Sequence, residues 1–466
     1  MSKRRIVIAG TGSGVGKTTL TIGLMAALMK KGMAVQGFKC GPDYIDPSYH
    51  TAVTKRISRN LDSWMLGRKT VVDIFTHASR DADISIMEGV MGFFDGKDPR
   101  TNAGSTAEIS VLTKSPVLLV VNCASMARSA AAIVKGFQTL SSEPIIVGVI
   151  VNQVGSEGHY HIVKTAIEQE CGIPVIGYLK REKGIEIPER SLGLIPSIER
   201  GELDPFFDQL GNMISETVDL EKLLEITVAE PLSFSKEESL FSLSAEPIAR
   251  IAVAKDAAFT SYYQENFELL ESCGAELVTF SPLANELVPP NCSGLYIGGG
   301  LPEEFMMAIS KSERTKQSIR ESIESGMPTF AEGGGFSFLT QSITLTSGEV
   351  AEMTGVIFGN VTMHTTLQAI GYREIKGCAE NFLLRADGLA KGHEFHYSTF
   401  EAITSLQYAY ETKGMRGTKL DGYAAENVVA GFPQFHFATC LDMVETWIKA
   451  CTTYQITQLE VQHGKK

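Results

Sequence analysis

The chain has 466 residues, 44% of them hydrophobic and 21% charged, with a formal net charge of −12. That length supports two hydrophobic cores of roughly 200 residues each, and the acidic balance excludes general nucleic-acid binding through a basic surface. The start MSKRRIVIAG runs directly into a strand and no apolar run reaches the roughly 18 residues of a membrane span, so a cytoplasmic protein with no membrane partner is expected. Eight scattered cysteines without a C-x-x-C pair suggest neither disulfides nor zinc.

In chain order, RIVIAG (5–10) reads as a strand and the turn GTGSGVGKTT (10–19) follows it. Its glycines, Gly12, Gly14 and Gly16, let backbone N–H groups approach phosphate oxygens. Lys17 can reach the terminal phosphates, and the Thr18 hydroxyl, followed by Thr19, suits Mg²⁺ at a helix N-terminus. The strict G-x-x-x-x-G-K-[ST] spacing would put Gly where Thr11 stands; the longer G-T-x-S-x-V-G-K-T form resembles dethiobiotin synthetase and MinD-like ATPases.

The segment TTLTIGLMAALMKKG (18–32) reads as a helix, and GFKCGPDYIDPSYH (37–50) as a turn-rich loop carrying Lys39, Asp43 and Asp46. The strand DISIME (83–88) leads into MEGVMGFFDG (87–96), which puts Glu88 at a strand's C-terminal end, where open α/β sheets gather ligand-binding groups. PVLLVVN (116–122) and PIIVGVIVN (144–152) are further strands. Apolar strands alternating with helices predict a parallel sheet covered on both faces. Thr18, Asp43 and Glu88 supply the hard oxygen ligands of a Mg²⁺–ATP site. Lys39, Arg59, Lys97, Arg100 and Arg128 are cations available to an anionic substrate.

Residues 229–248, EPLSFSKEESLFSLSAEPIA, lose this rhythm and read as a linker between domains spanning 1–228 and 249–455. The pattern restarts with RIAVAKD (250–256), GAELVTFSP (274–282), GLYIGGG (294–300) and MPTFAEGGG (327–335), a second α/β domain. FAEGGGFSFLT (330–340) has the form of a strand-to-helix elbow, which exposes the residue at its tip. The tip here is Gly333, Gly334 and Gly335, and offers no nucleophile.

These motifs, together with NLDSWML (60–66), GSTAEI (104–109), MARSAAAIVKGF (126–137), VNQVGSEGHY (151–160), PERSLGLIP (188–196) and KGHEFHYS (391–398), resemble the cobyrinic acid a,c-diamide synthase family along nearly the whole chain. The resemblance implies an N-terminal P-loop amidoligase domain of dethiobiotin synthetase type and a C-terminal class I glutamine amidotransferase domain. It implies ATP and Mg²⁺ as cofactors, a tetrapyrrole polycarboxylate as substrate, and a homodimer. In such enzymes ATP phosphorylates a carboxylate and ammonia from glutamine attacks the acyl phosphate. By the same match Lys17 and Asp46 are catalytic, Asp43 and Glu88 complete the metal shell with Thr18, and Asn152 helps to read adenine. Lys39, Tyr44, Asp46, His50 and the loop from Asp95 to Arg100 lie toward the tetrapyrrole.

The family's elbow reads A-E-C-G-G, so Gly333 stands at its glutaminase nucleophile. Its S-Y-x-H-L-H-F segment corresponds to GFPQFHF (431–437), which puts Gln434 at the catalytic base, or His436 if the register slips. A base without a thiol forms no glutamyl thioester, so the glutaminase is expected to be dead, with free or partner-supplied ammonia in its place. Gly299 and Gly300, the family's oxyanion hole, are kept. Asn122, Gln153 and Ser191 depart from the acidic residue, Arg and His expected at their positions. A siroheme- or sirohydrochlorin-type diamide synthase and a non-catalytic carrier of ATP and tetrapyrrole are the alternative readings.

Overall fold

The computed structural model describes residues 4–180, 189–190, 193–194, 203–232, 239–241, 246–300, 302–378 and 380–464. Ser191, most of PERSLGLIP, Leu301 and residues 233–238 and 242–245 of the expected linker lie outside the described residues. The chain divides into two compact units, Met1–Ser239 and Leu240–Lys466.

The first unit is built on a seven-stranded, wholly parallel sheet. Its strands are β1 (Arg4–Gly10), β2 (Val35–Cys40), β3 (Arg59–Leu61), β4 (Ile84–Glu88), β5 (Val117–Asn122), β6 (Ile146–Val154) and β7 (Val175–Lys180). Their order is β3-β2-β4-β1-β5-β6-β7, so the P-loop leaves β1 in the middle of the sheet. The helix α1 (Lys17–Lys30) is apolar nearly all round because it is covered on both sides, by the sheet and by helix Asp204–Thr217. A Cβ on Gly23 would come within 2.6 Å of Ile214 Cγ1 in that second helix, which explains the glycine.

GFKC, read as the start of the turn-rich loop 37–50, instead belongs to the fully buried strand β2. The loop after it closes into α2 (Ile45–Thr54). Two register pairs follow from parallel pairing: Lys39 lies beside Glu88, and Ile8 beside the same Glu88. Register partners on neighbouring strands point to the same face. Lys39 and Glu88 are thereby brought together although 49 residues separate them.

The second unit has a sheet ordered Ala275–Phe280, Ala249–Ala254, Gly294–Ile297, Thr329–Glu332, Val428–Gly431 and Tyr423–Ala424, parallel except for its last pair. Strands between residues 340 and 435, antiparallel except for the parallel pair Thr340–Thr344 with Ile357–Met363, form two further sheets that the sequence reading did not resolve. Their alternate residues face solvent, so the apolar signal is diluted. Among the described residues no helix is long and apolar enough to cross a membrane.

Candidate active site

The P-loop residues 11–16 turn over the C-terminal end of β1, and Gly16 ends the turn at φ +91°, a left-handed conformation that favours glycine. Asn152, at the matching end of β6, lies directly under it. Its amide nitrogen donates to the Val15 carbonyl at 2.8 Å and its carbonyl oxygen accepts from Gln153 N–H at 2.7 Å. Expected to read adenine, Asn152 is buried and braces the P-loop backbone in this structure.

Lys17 folds back along the loop: its ammonium donates to the Gly12 carbonyl at 2.9 Å and to the Met91 carbonyl at 2.6 Å. Burial, helped by the nearby Lys39 charge, lowers its pKa to about 8. The second acceptor comes from MEGVMGFFDG, whose Phe93 N–H also donates to the Gly10 carbonyl at 2.9 Å. That loop therefore packs on the P-loop.

Beneath it the ends of β2 and β4, the first turn of α1 and the second turn of α2 converge on Glu88, which is fully buried. Its Oε1 accepts from the Thr18 hydroxyl at 2.6 Å and from Lys39 Nζ at 3.0 Å, and its Oε2 is 2.7 Å from His50 Nε2. Lys39 also pairs with Asp46 at 2.5 Å. Burial alone would drive Glu88 toward its neutral form. The Lys39 ammonium and the hydrogen bonds from His50 and Thr18 overcome that and hold it well below the usual carboxylate range. The same two carboxylates hold Lys39 firmly charged against burial. Asp46 is raised, by burial first and then by repulsion from Asp43 and Glu88.

This arrangement fits a divalent cation. One ammonium faces two buried carboxylates, Asp46 Oδ1 is buried with no hydrogen-bond partner, and the Thr18 hydroxyl meets a carboxylate oxygen. The donors are the hard oxygens that Mg²⁺ prefers, and Mg²⁺ typically takes one or two carboxylates and completes its shell with phosphates and water. Among the described residues no three His, Cys, Asp or Glu side chains form a ready-made metal cage. Thr18 and Glu88 are brought together as expected. Asp43 instead turns its Oδ1 to the Ile45 N–H at 2.7 Å, beginning α2.

The residues expected toward the tetrapyrrole separate. His50 is fully buried, with Glu88 on one ring nitrogen and Ser58 Oγ 3.2 Å from the other. Lys39 and Asp46 are likewise buried in the carboxylate cluster, while Tyr44 is half-buried. Asp95 is exposed and accepts from Gly92 N–H at 2.8 Å. Arg100 is exposed and pairs with Asp98 at 3.0 Å. Asn60, not singled out beforehand, donates to the carbonyls of Gly41 and Asp43 at 2.8 and 2.6 Å and so shapes the loop holding these groups.

In the second unit the elbow is present as architecture. Strand Thr329–Glu332 breaks at Gly333 (φ +56°, ψ −117°), and helix Gly334–Leu339 follows. Gly335 has no room for a side chain, since a Cβ there would lie 2.1 Å from the Ile297 carbonyl oxygen. Gln434 packs over the tip: its amide nitrogen lies 3.1 Å from where a Gly333 Cβ would stand, and it also covers Gly299. The side chain of His436 goes elsewhere, to Ala438 N–H at 3.4 Å and within 3.7 Å of Glu265. Asn266 fixes this register by bonding Phe435 O at 2.9 Å and Phe437 N at 2.8 Å. The residue facing the elbow is Gln434.

Glu332, which precedes the tip, is fully buried, accepting from Tyr296 Oη at 2.6 Å and Phe435 N–H at 2.9 Å. Burial pushes its pKa up to about 8. A pocket beside the tip is lined by Gly300, Gly333, His396, Tyr397, Phe432 and Gln434.

Residues 6–195 match the CobQ/CobB/MinD/ParA nucleotide binding domain, and residues 250–439 match the CobB/CobQ-like glutamine amidotransferase domain. The chain is 62% identical to the cobyrinate a,c-diamide synthase of Priestia megaterium, over 97% of this chain and 98% of that protein. It is 42% identical to the enzyme of the same name from Picrophilus torridus and 41% to that from Caldanaerobacter subterraneus, each over 97% of this chain and 99% of the relative.

Proposed function

The chain belongs to the cobyrinate a,c-diamide synthase family, and we propose that it amidates the a and c acetates of cobyrinate through acyl phosphates with ammonia that its own second unit does not generate. It is an ATP-dependent carbon–nitrogen ligase with a nucleotide-binding and an amidotransferase-type domain. The observation that carries the first half of the proposal is the meeting of Thr18, Glu88 and Lys39 at the strand ends beside the P-loop. The second half rests on Gly333 and Gln434 at the elbow.

When bound, Mg²⁺–ATP supplies the phosphoryl group that turns a substrate carboxylate into an acyl phosphate, which ammonia opens to the amide with release of phosphate. The P-loop N–H groups would hold the phosphates, and Lys17, which here donates to the carbonyls of Gly12 and Met91, would stabilise charge on the transferring group. Thr18 and Glu88 would hold the metal, with Asp46 Oδ1 as a further oxygen donor. Asp95 and Arg100, both exposed, would contact the substrate. At the elbow, Gly333 supplies no sulfur for thioester formation and Gln434 no imidazole for proton transfer. A homodimer, a cytoplasmic location and an ammonia-supplying partner belong to the same proposal.

Mass spectrometry of cobyrinate after incubation with ATP, Mg²⁺ and either ammonium or glutamine tests it. Two acetates converted to amides with ammonium and none with glutamine are expected. Lys17→Ala should lower the ammonium-dependent rate by about 10²–10³, the usual loss for one preorganised cationic donor. Amidation from glutamine by the purified chain would sink the ammonia assignment. Conversion of sirohydrochlorin in preference to cobyrinate would overturn the substrate.

A further inference from the structure

Glu88 carries three hydrogen bonds on two oxygens, and the division between them is not symmetrical. Oε1 is shared by Thr18 and Lys39, while Oε2 is left to His50 alone. A carboxylate only accepts, so His50 Nε2 carries a proton toward Glu88, and Nδ1 shares a hydrogen bond with the Ser58 hydroxyl at 3.2 Å. Ser58 is in turn anchored, its N–H donating to Thr51 Oγ1 at 2.9 Å, and Thr51 donates to the Pro47 carbonyl at 2.8 Å. The imidazole is thus gripped at both nitrogens. It reaches Glu88 through a gap kept open by Gly37, where a Cβ would stand 2.9 Å from His50 Cβ.

We infer that His50 is a positioning residue for the nucleotide–metal site: by occupying Oε2 it stops the Glu88 carboxylate from rotating and presents Oε1 to Thr18 and the metal. The inference rests on the reading that Thr18 and Glu88 hold Mg²⁺–ATP. Second partners of this kind orient a ligating carboxylate, and their loss costs about 10–100-fold in metal affinity. Leucine at position 50 fills similar space without a donor, whereas glutamine offers an N–H that reaches the same oxygen. Packing alone would favour Leu over Gln; positioning demands the reverse order.

The test is calorimetric titration of the full chain with Mg²⁺ in the presence of a non-hydrolysable ATP analogue, so that the readout is binding and not turnover. For His50→Leu the half-saturating Mg²⁺ concentration should rise by about 10–100-fold, and for His50→Gln by about threefold or less. If His50→Leu fails to fold, Ser58→Ala, which frees one end of the ring, should raise the half-saturating concentration by an intermediate factor. Wild-type affinity for Mg²⁺ in His50→Leu, or in Ser58→Ala where the former does not fold, overturns the inference alone. Nucleotide binding by the wild type that is indifferent to Mg²⁺ and to Thr18→Ala overturns the underlying reading and the inference with it.

Discussion

Glu88 and Glu332 occupy matching places in the two units: each is the last residue of a buried parallel strand, and each is followed by glycine. Both are removed from water, yet their charges diverge. Glu88 has the Lys39 ammonium beside it and stays ionised against the cost of burial. Glu332 has a phenol and a backbone N–H but no cation, and burial pushes it up to about 8, so it is neutral over most of the physiological range. Desolvation acts on both alike, and a register-paired lysine decides the outcome. A charged carboxylate at a strand end serves phosphate and metal chemistry. A neutral one serves as a bracket between the elbow strand and the segment bearing Gln434.

The comparison breaks most sharply if the cation is taken away. Lys39→Met leaves Glu88 and Asp46 buried without their shared cation, and a stability loss of about 3–5 kcal/mol is expected by denaturant titration. Because the folded Glu88 titrates below its unfolded value, its contribution is complete above the ordinary carboxylate range and fades as pH falls. The gap between wild type and Lys39→Met should therefore narrow in acid. A gap that does not change between neutral and acidic pH would mean that Lys39 does not hold the Glu88 charge.

At Glu332 the sign is opposite. The folded state holds its proton to about pH 8, whereas the unfolded chain releases it in the ordinary carboxylate range. Stability therefore falls as pH rises between those limits. Glu332→Gln removes the titration and should flatten that slope, leaving the variant more stable than wild type at neutral pH by on the order of 1–3 kcal/mol. An unchanged slope in a series of melts across this range would show Glu332 to be ionised in the fold.

The smallest effects belong to the elbow tip. Gly333→Cys places a Cβ at a left-handed φ and 3.1 Å from the Gln434 amide nitrogen. A destabilisation of about 1–2 kcal/mol is expected. The single variant should hydrolyse no glutamine, since the side chain packed over the tip is the Gln434 amide, whereas Gly333→Cys with Gln434→His should release a low rate of ammonia. Activity in the single variant would mean that a histidine, His396 of the adjoining pocket or His436, serves as the base.

Both sheets and the P-loop were legible because each rests on local signals: continuous apolar strands, a helix apolar on all sides, glycines before Lys17, and the elbow's glycine run. Thr18 and Glu88 could be paired in advance because each ends or begins an element that the pattern shows. β2 was hidden, since Gly37 and Lys39 interrupt its apolar run, and with it went the pairing of Lys39 with Glu88. The partners of His50 were hidden for a related reason: its segment is rich in turn residues and gives no helical pattern, while α2 in fact folds its inner face onto the sheet.

The sequence by itself determined the family, the two α/β units, the nucleotide loop and the absence of a thiol at Gly333, all of which depend on residue identity or short-range pattern. Only the tertiary structure decided which strands are neighbours, that Lys39 neutralises the Glu88 cluster, that His50 is spent on that glutamate, and that Gln434 and not His436 covers the elbow. Those facts depend on strand order and on the clamp by Asn266. Pairings between residues far apart in the chain leave no trace in local composition.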